Sequence, residues 1–131
     1  MEQAQVRKQF LGVWKLVSYD WTDKASGQVS YPFGDHPVGR ITYDDAGRMS
    51  AQLMRPGRKA LEAADGYISY FGTFDIDEPA RTVIHHVEGA LIPSWVGTDL
   101  RRDYEFTGNR LILTAAEGPA VIRLVWQRDG I

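Results

Sequence analysis

The stretch RITYDDAGRMSAQL, residues 40–53, predicts a β-hairpin. Two runs of strand-like residues flank the turn sequence DDAG, residues 44–47. Asp and Gly are typical of the tight turns that connect antiparallel strands. This hairpin favours an antiparallel sheet, in which strands that follow one another along the chain lie side by side.

Similar segments with a period of two occur on both sides of this hairpin, and turn residues separate them. They cover residues 12–21, 67–77, 82–90, 100–106, 110–116 and 120–128. Residues 29–39 contain two prolines and two glycines and predict a short strand followed by a loop. The sequence ALEAA, residues 60–64, consists of good helix formers and predicts one or two helical turns.

This succession gives eight or nine strands joined by short connections. Strands do not alternate with helices, so a parallel sheet is not expected. A meander of this many strands curls, splits into two sheets or closes, and closure removes its exposed edges. We therefore expect an all-β fold, a single antiparallel meander β-barrel of eight to ten strands with at most one short helix. One domain is expected to span residues 1–131, and such a barrel encloses side chains or one small ligand.

The composition excludes several classes of protein. Hydrophobic residues make up 44% of the chain, which is typical of a globular protein, and cysteine is absent. Disulfides, thiolate metal sites and cysteine nucleophiles are therefore excluded, and a reducing, cytoplasmic location is expected. The first ten residues lack the apolar core of a secretory signal, and no apolar run approaches the roughly 20 residues that span a bilayer. We expect no membrane partner.

Charge and motif content exclude further partners. The net charge is −2, and the densest basic piece, residues 55–59, contains no aromatic residue. A nucleic-acid partner is therefore not expected. Phosphate loops, dinucleotide fingerprints and nucleophile elbows are missing, so no cofactor is expected. The chain has three histidines, of which the adjacent pair points to opposite faces, so we expect no metal site. The sequence leaves the oligomeric state open, a dimer included.

The segment TVIHHVEG, residues 82–89, places two adjacent histidines in an apolar run. Neighbouring residues on a strand point to opposite faces, so only one histidine can face the interior. Val83, His85 and Val87 share the more apolar face, which predicts that His85 faces inward. If the other face lies inside, His86 and Glu88 enter the barrel together.

A buried histidine supports three interpretations. It is a core residue bonded to a neighbouring strand, an anchor for a ligand, or an acid–base group. A neutral imidazole donates a hydrogen bond from one nitrogen and accepts at the other, which suits all three roles. The sequence does not decide among them.

Two motifs resemble those of a known family of barrels. Gly12-x-Trp14 is similar to the motif that opens lipocalins and their relatives, in which the tryptophan closes one end of the barrel. A basic residue near the last strand commonly lies across that ring, and Arg128 in VWQR is the candidate. From about Phe10 to Arg128 the chain resembles the bacterial lipocalin-like domain family. The shared pattern includes FLGVWKLVSYD, the hairpin, HHVEG and LVWQR. The resemblance implies a small barrel with a pocket, and no single activity.

The residues expected to contact a ligand combine aromatic, apolar and basic side chains. They are Arg40, Tyr43, Met49, Tyr70, Phe71, Val83, His85, Trp95, Arg102 and Tyr104. Arg102 lies on the apolar face of residues 100–106, where it either balances the charge of a carboxylate ligand or extends to solvent at the barrel mouth. Arg40 either binds an acidic group or forms a salt bridge at the rim, and Trp95 either caps the open end or packs under its own loop.

These residues support two functions. The first is a barrel that binds a small, mostly apolar or aromatic molecule carrying an acidic or hydroxyl group. The alternative is a small acid–base enzyme without a cofactor, of the isomerase, cyclase, hydratase or decarboxylase type. In that case the catalytic residues are His85, or His86 with Glu88.

Overall fold

The structure, a computed structural model, describes residues 2–130, and the side chains of its N-terminal helix from residue 4 onward. One helix precedes nine strands. These elements are α1 (Glu2–Phe10), β1 (Gly12–Asp23), β2 (Val29–Ser30), β3 (Val38–Tyr43), β4 (Arg48–Met54), β5 (Tyr67–Asp77), β6 (Thr82–Ala90), β7 (Asp99–Thr107), β8 (Arg110–Glu117) and β9 (Ala120–Arg128). A single turn of 3₁₀ helix, Pro93–Trp95, lies between β6 and β7.

The strands form a closed antiparallel meander. Their order is β2-β1-β3-β4-β5-β6-β7-β8-β9, and β1 also pairs with β9, which closes the sheet into a barrel of eight strands. The remaining strand, β2, has two residues and pairs with the end of β1 outside the closed barrel. The predicted all-β meander barrel is confirmed.

The hairpin predicted for residues 40–53 forms as expected. Strand β3 pairs with β4 from Val38 opposite Met54 to Tyr43 opposite Met49. The Asp44 carboxylate accepts hydrogen bonds of 2.9 Å from the backbone amides of Ala46 and Arg48. Gly47 has a φ of 88°, a left-handed conformation that glycine adopts without the steric cost of a side chain.

Two bulges change which residues face the interior. In β1, Leu16 pairs with Trp126 and Ser18 with Val125, so Val17 is the extra residue. In β6, Glu88 is the extra residue, opposite the step from Phe71 to Gly72. There the strands approach so closely that a Cβ at Gly72 would lie 1.8 Å from the carbonyl oxygen of His86. Each bulge shifts the inward-facing set by one residue.

Helix α1 closes one end of the barrel. Phe10 at its end is fully buried, and its ring meets those of Tyr43, Tyr104 and Phe106 at centroid distances of 5.2, 5.2 and 4.9 Å. These edge-on contacts are the arrangement that aromatic rings favour. The resulting plug leaves any interior space toward the opposite end.

The cation–π contact expected from the lipocalin resemblance is present at this closed end. The guanidinium of Arg128 lies 3.9 Å from the ring centroid of Trp14. It also donates hydrogen bonds to the carbonyls of Gln9 (2.7 Å) and Leu11 (2.5 Å), which ties the end of the helix to the last strand. This prediction is confirmed.

The prediction of a helix at residues 60–64 is wrong. These residues form turns and bends. Arg58 donates to the carbonyls of Glu62 (2.5 Å) and Ala63 (2.6 Å), and the Glu62 carboxylate accepts from the Lys59 amide at 2.8 Å. Side-chain bonds thus occupy backbone groups that a helix would use. Among the described residues, no helix has the length and apolarity needed to cross a membrane.

Candidate functional site: the interior cavity

The barrel encloses a cavity of about 270 Å³. Its wall is mainly apolar, with a few polar and charged groups. The lining residues are Tyr19, Trp21, Ile41, Ala51, Leu53, Ile68, Tyr70, His85, Trp95, Arg102, Leu113, Glu117, Ile122, Leu124 and Trp126. Trp21, Trp95 and Glu117 come from the ends of β1 and β8 and from the β6–β7 connection, at the end away from α1. We call this the open end.

The bulge at Val17 explains two of the aromatic residues in this wall. Trp14 and Leu16 face inward before the bulge, and Tyr19 lines the cavity after it, together with Trp21. Strict alternation from Leu16 would instead place Ser18 and Asp20 inside. The bulge therefore exchanges two polar positions for two aromatic ones at the open end.

His85 is the buried polar residue at the centre of the site. It is 1% exposed, and each ring nitrogen bonds a tyrosine hydroxyl. Nε2 lies 2.7 Å from the hydroxyl of Tyr43, and Nδ1 lies 2.8 Å from that of Tyr70. The three side chains come from strands β3, β5 and β6, so closure of the barrel is what brings them together. We call them the Tyr43–His85–Tyr70 array.

All three members of the array are held uncharged near neutral pH. Burial lowers the pKa of His85 to about 3, and the positive charges of Arg102 and His86 contribute to this shift. Burial raises the pKa of Tyr70 to about 12 and that of Tyr43 well above its ordinary value. A general base works best with a pKa near the ambient pH. The array therefore suits fixed hydrogen bonding better than proton transfer.

Further charged and polar groups lie on the cavity wall. Arg102 lines the cavity, and its guanidinium donates a 3.2 Å hydrogen bond to the carbonyl of Arg101. Its charge lowers the pKa of His85. Nearby, the hydroxyl of Tyr19 accepts a 3.0 Å hydrogen bond from the indole N–H of Trp21. Positive charge thus reaches the cavity from one side of the wall.

The structure brings four of the predicted ligand-contact residues together on the cavity wall: Tyr70, His85, Trp95 and Arg102. His85 faces inward, as its apolar neighbours on the same strand predicted. Trp95 lies against Tyr70 with ring centroids 5.8 Å apart, next to the open end.

Two predicted residues lie outside the barrel. Phe71 is 55% exposed, because it follows inward-facing Tyr70 on the same strand and must point the other way. Its ring covers Gly89, where a Cβ would lie 2.4 Å from a ring carbon. Arg40 is exposed and forms a 3.1 Å salt bridge with Asp129. This is the second of its two predicted roles, a salt bridge in place of a contact with an acidic ligand group. Neither residue lines the cavity.

Four more predicted residues face inward but do not line the cavity. Tyr43, Met49, Val83 and Tyr104 are buried in the packed core. Tyr43 and Tyr104 contact Phe10 in the plug, and Tyr43 reaches the site only through His85. Alternation along the strands correctly predicted that these four side chains face the interior. They do not line the cavity, because they lie at a different depth along the barrel.

His86 and Glu88 do not enter the barrel. His86 lies on the outer face, where Nε2 contacts Asp75 and Nδ1 contacts Asp99, each at 2.8 Å. These two bonds raise the pKa of His86. Glu88 is exposed at the bulge. Among the described residues, no group of three or more metal-ligating side chains could hold an ion.

Sequence reasoning missed part of the wall. Tyr19 and Trp21 were missed because their bulge was not recognised, although the apolar residues change from even to odd positions after Leu16. Leu113, Ile122 and Leu124 follow from simple alternation along the predicted strands, whereas Glu117 lies just beyond the predicted strand of residues 110–116. Trp126, which belongs to the motif VWQR, also lines the wall.

Fold and site together define a closed antiparallel barrel with a ligand-sized, largely apolar interior. The chain belongs to the lipocalin-like domain family, whose model matches residues 11–128. The chain is also similar to the 4'-hydroxy-3'-methoxypropiophenone carrier protein ppsC of Aspergillus oryzae. The two are 33% identical over 101 residues, which cover 62% of this chain and 90% of the relative.

Two solved structures are similar in shape. A redesigned β-barrel superposes with a TM-score of 0.52 at 12% identity, covering 95% of both chains. A variant of the fluorescent protein UnaG superposes with a TM-score of 0.47 at 13% identity, covering 95% of this chain and 99% of that one. At this identity the redesigned barrel supports the fold alone.

Proposed function

We propose that this protein binds and carries a small, mostly apolar aromatic molecule inside its barrel. The observation that supports this most strongly is the cavity of about 270 Å³ with a largely apolar wall and few polar groups. Ligand sites of proteins have this character, because apolar burial supplies affinity and a few polar groups set the orientation.

The size of the cavity limits the ligand. A dry cavity of about 150 Å³ holds one benzene molecule. A volume of about 270 Å³ leaves room for one aromatic ring with short substituents. The 4'-hydroxy-3'-methoxypropiophenone named for the fungal relative is a molecule of this kind, a single ring with hydroxyl, methoxy and ketone substituents. We propose a ligand of this class for the present chain. We also propose a cytoplasmic location, which the absence of cysteine suits.

A role in binding is proposed for four residues that the sequence singled out and that lie on the wall. Tyr70 and Arg102 supply polar contacts, and His85 acts through Tyr70. Trp95 and the neighbouring Trp21 supply aromatic surface at the open end. The acid–base enzyme remains the less favoured alternative, since both nitrogens of His85 are occupied.

Tryptophan fluorescence tests the proposal, because Trp21, Trp95 and Trp126 all line the cavity. Titration with 4'-hydroxy-3'-methoxypropiophenone should give a saturable change with one site per chain. Ala51→Phe places a ring in the cavity and should weaken binding at least about tenfold, as loss of one buried aromatic contact does. Gln52→Phe, at the next position and exposed, is the matched control and should bind like the wild type.

Circular dichroism and thermal unfolding establish that both variants are folded. Should Ala51→Phe fail to fold, Ile68→Phe narrows the cavity from its half-buried position on β5. The proposal is refuted if the wild type shows no saturable binding of this ketone or of other one-ring aromatics. It is also refuted if a folded cavity-filling variant binds as tightly as the exposed control.

A further inference from the structure

In the Tyr43–His85–Tyr70 array, counting the hydrogen atoms shows which partner donates and which accepts in each hydrogen bond. His85 is neutral, so one ring nitrogen carries a hydrogen and the other carries a lone pair. Each nitrogen has a tyrosine hydroxyl as its partner, at 2.7 and 2.8 Å. One hydroxyl must therefore donate to His85 and the other must accept from it. Two arrangements satisfy this condition.

The first arrangement places the hydrogen on Nε2. Tyr43 then accepts from His85, and its own hydroxyl hydrogen needs another acceptor. Tyr43 is 1% exposed and packs between the rings of Phe10 and Phe74. Among the described residues its hydroxyl has no partner besides His85. This arrangement leaves a buried donor unsatisfied, which is costly and rare in folded proteins.

The second arrangement places the hydrogen on Nδ1 and gives an acceptor to both buried donors, the Tyr43 hydroxyl and the Nδ1 hydrogen of His85. Tyr43 donates to Nε2, and Nδ1 donates to the hydroxyl oxygen of Tyr70. Among residues 2–130, no acceptor then uses the hydroxyl hydrogen of Tyr70. Because Tyr70 lines the cavity, that hydrogen is available to whatever occupies it.

The rest of the wall also offers more donors than acceptors. The hydroxyl of Tyr19 accepts from Trp21, and its own hydrogen has no acceptor within the part of the chain that the structure describes. The indole N–H of Trp126 is buried and has no partner among the described residues. Arg102 adds a positive charge, whereas Glu117 at the open end supplies a carboxylate. A ligand that complements this wall carries acceptor oxygens.

We propose that the Tyr43–His85–Tyr70 array fixes the Tyr70 hydroxyl as a hydrogen-bond donor and that the cavity thereby selects aromatic molecules bearing a carbonyl oxygen. Tyr70 contacts the carbonyl, and His85 and Tyr43 are positioning residues. This inference rests on the proposed function and adds to it the chemical group that is recognised. A carbonyl oxygen accepts hydrogen bonds and donates none, so it matches a fixed donor.

A pair of matched ligands tests the inference. Propiophenone and propylbenzene have the same skeleton and differ by a carbonyl in place of a methylene group. Calorimetry gives the ratio of their affinities for the wild type and for Tyr70→Phe. Removal of the donor should lower the ketone-to-hydrocarbon ratio by about five- to tenfold, the equivalent of one net hydrogen bond. Tyr104→Phe, which alters a tyrosine in the plug, should leave the ratio unchanged.

The possible results separate the two proposals. If both molecules bind and the ratio is the same in the wild type and in Tyr70→Phe, carbonyl selection is refuted and the binding function stands. If neither molecule binds to the wild type, both proposals are refuted.

A second measurement needs no variant, so it stands even if Tyr70→Phe fails to fold. The ¹⁵N chemical shifts of His85 identify which ring nitrogen carries the hydrogen in the intact protein. The inference predicts a hydrogen on Nδ1 and a lone pair on Nε2. A hydrogen on Nε2 would reverse the direction of the array and overturn the inference.

Discussion

Removal of one buried hydroxyl group measures how much the Tyr43–His85–Tyr70 array contributes to stability. Tyr43→Phe deletes the group whose oxygen lies 2.7 Å from Nε2 of His85, at a position that is 1% exposed. Nε2 is then left in the core without a partner. A buried polar group that loses its partner costs about 1–3 kcal/mol, and we expect a loss of about 2 kcal/mol.

The expected change in melting temperature follows from the length of the chain. Unfolding entropy is about 2.1 cal/mol/K per residue, so in 131 residues each kcal/mol corresponds to roughly 4 °C. Tyr43→Phe should therefore melt about 7 °C below the wild type. Urea unfolding followed by circular dichroism gives the free energy itself, and an unchanged slope with denaturant shows that the unfolded state is the same.

Tyr104→Phe is the matched control for this prediction. Tyr104 is also buried, at 5% exposure, and it contacts the same ring of Phe10 at the same centroid distance of 5.2 Å. No side-chain hydrogen bond contributes to its raised pKa, which burial causes. The control should change stability by less than about 0.5 kcal/mol. Equal stability of the two variants would refute the bond between Tyr43 and His85.

Three further predictions concern titration and the closed end. Because the folded pKa of His85 is about 3 against 6.5 in the unfolded chain, stability falls as pH drops from about 6.5 toward 3. His85→Gln should make the measured slope of unfolding free energy with pH shallower by up to about 1.4 kcal/mol per unit. The pKa of His86 is raised instead, so its contribution is complete below about 6.5 and is lost as pH rises through the folded value. The stability difference between wild type and His86→Gln, under about 1 kcal/mol because the side chain is 37% exposed, should shrink between pH 6 and pH 9. Arg128→Gln should cost about 1–2 kcal/mol in thermal unfolding, and Arg128→Lys should not restore it, because lysine cannot reproduce the planar stacking on Trp14 with two directed bonds.

Local patterns in the sequence were sufficient to predict the barrel. The Asp-Asp-Ala-Gly turn and the alternation along each segment define antiparallel neighbours, and closure is the outcome that removes the exposed edges of a meander with this many strands. The inward orientation of His85 follows from its apolar neighbours Val83 and Val87. The contact of Arg128 with Trp14 came from family resemblance, since no local pattern relates residues so far apart in the chain.

The parts of the site that were not predicted depend on information that alternation lacks. Alternation gives the face of a residue but not its depth, so Tyr43 and Tyr104 were expected on the cavity wall although they belong to the plug. Alternation also depends on knowing whether the odd or the even residues of a strand face inward. The extra residue Val17 reverses this assignment within β1. The N-terminal helix was missed because its polar composition gave no apolar pattern before Phe10, the residue that anchors it.

A crystal structure of the protein with 4'-hydroxy-3'-methoxypropiophenone tests the central claim most directly. Our account predicts the aromatic ring inside the barrel and the ketone oxygen about 2.5–3.0 Å from Oη of Tyr70, the distance of an O–H···O hydrogen bond. A ligand bound on the outer face of the barrel, or a ketone that points away from Tyr70, would contradict it.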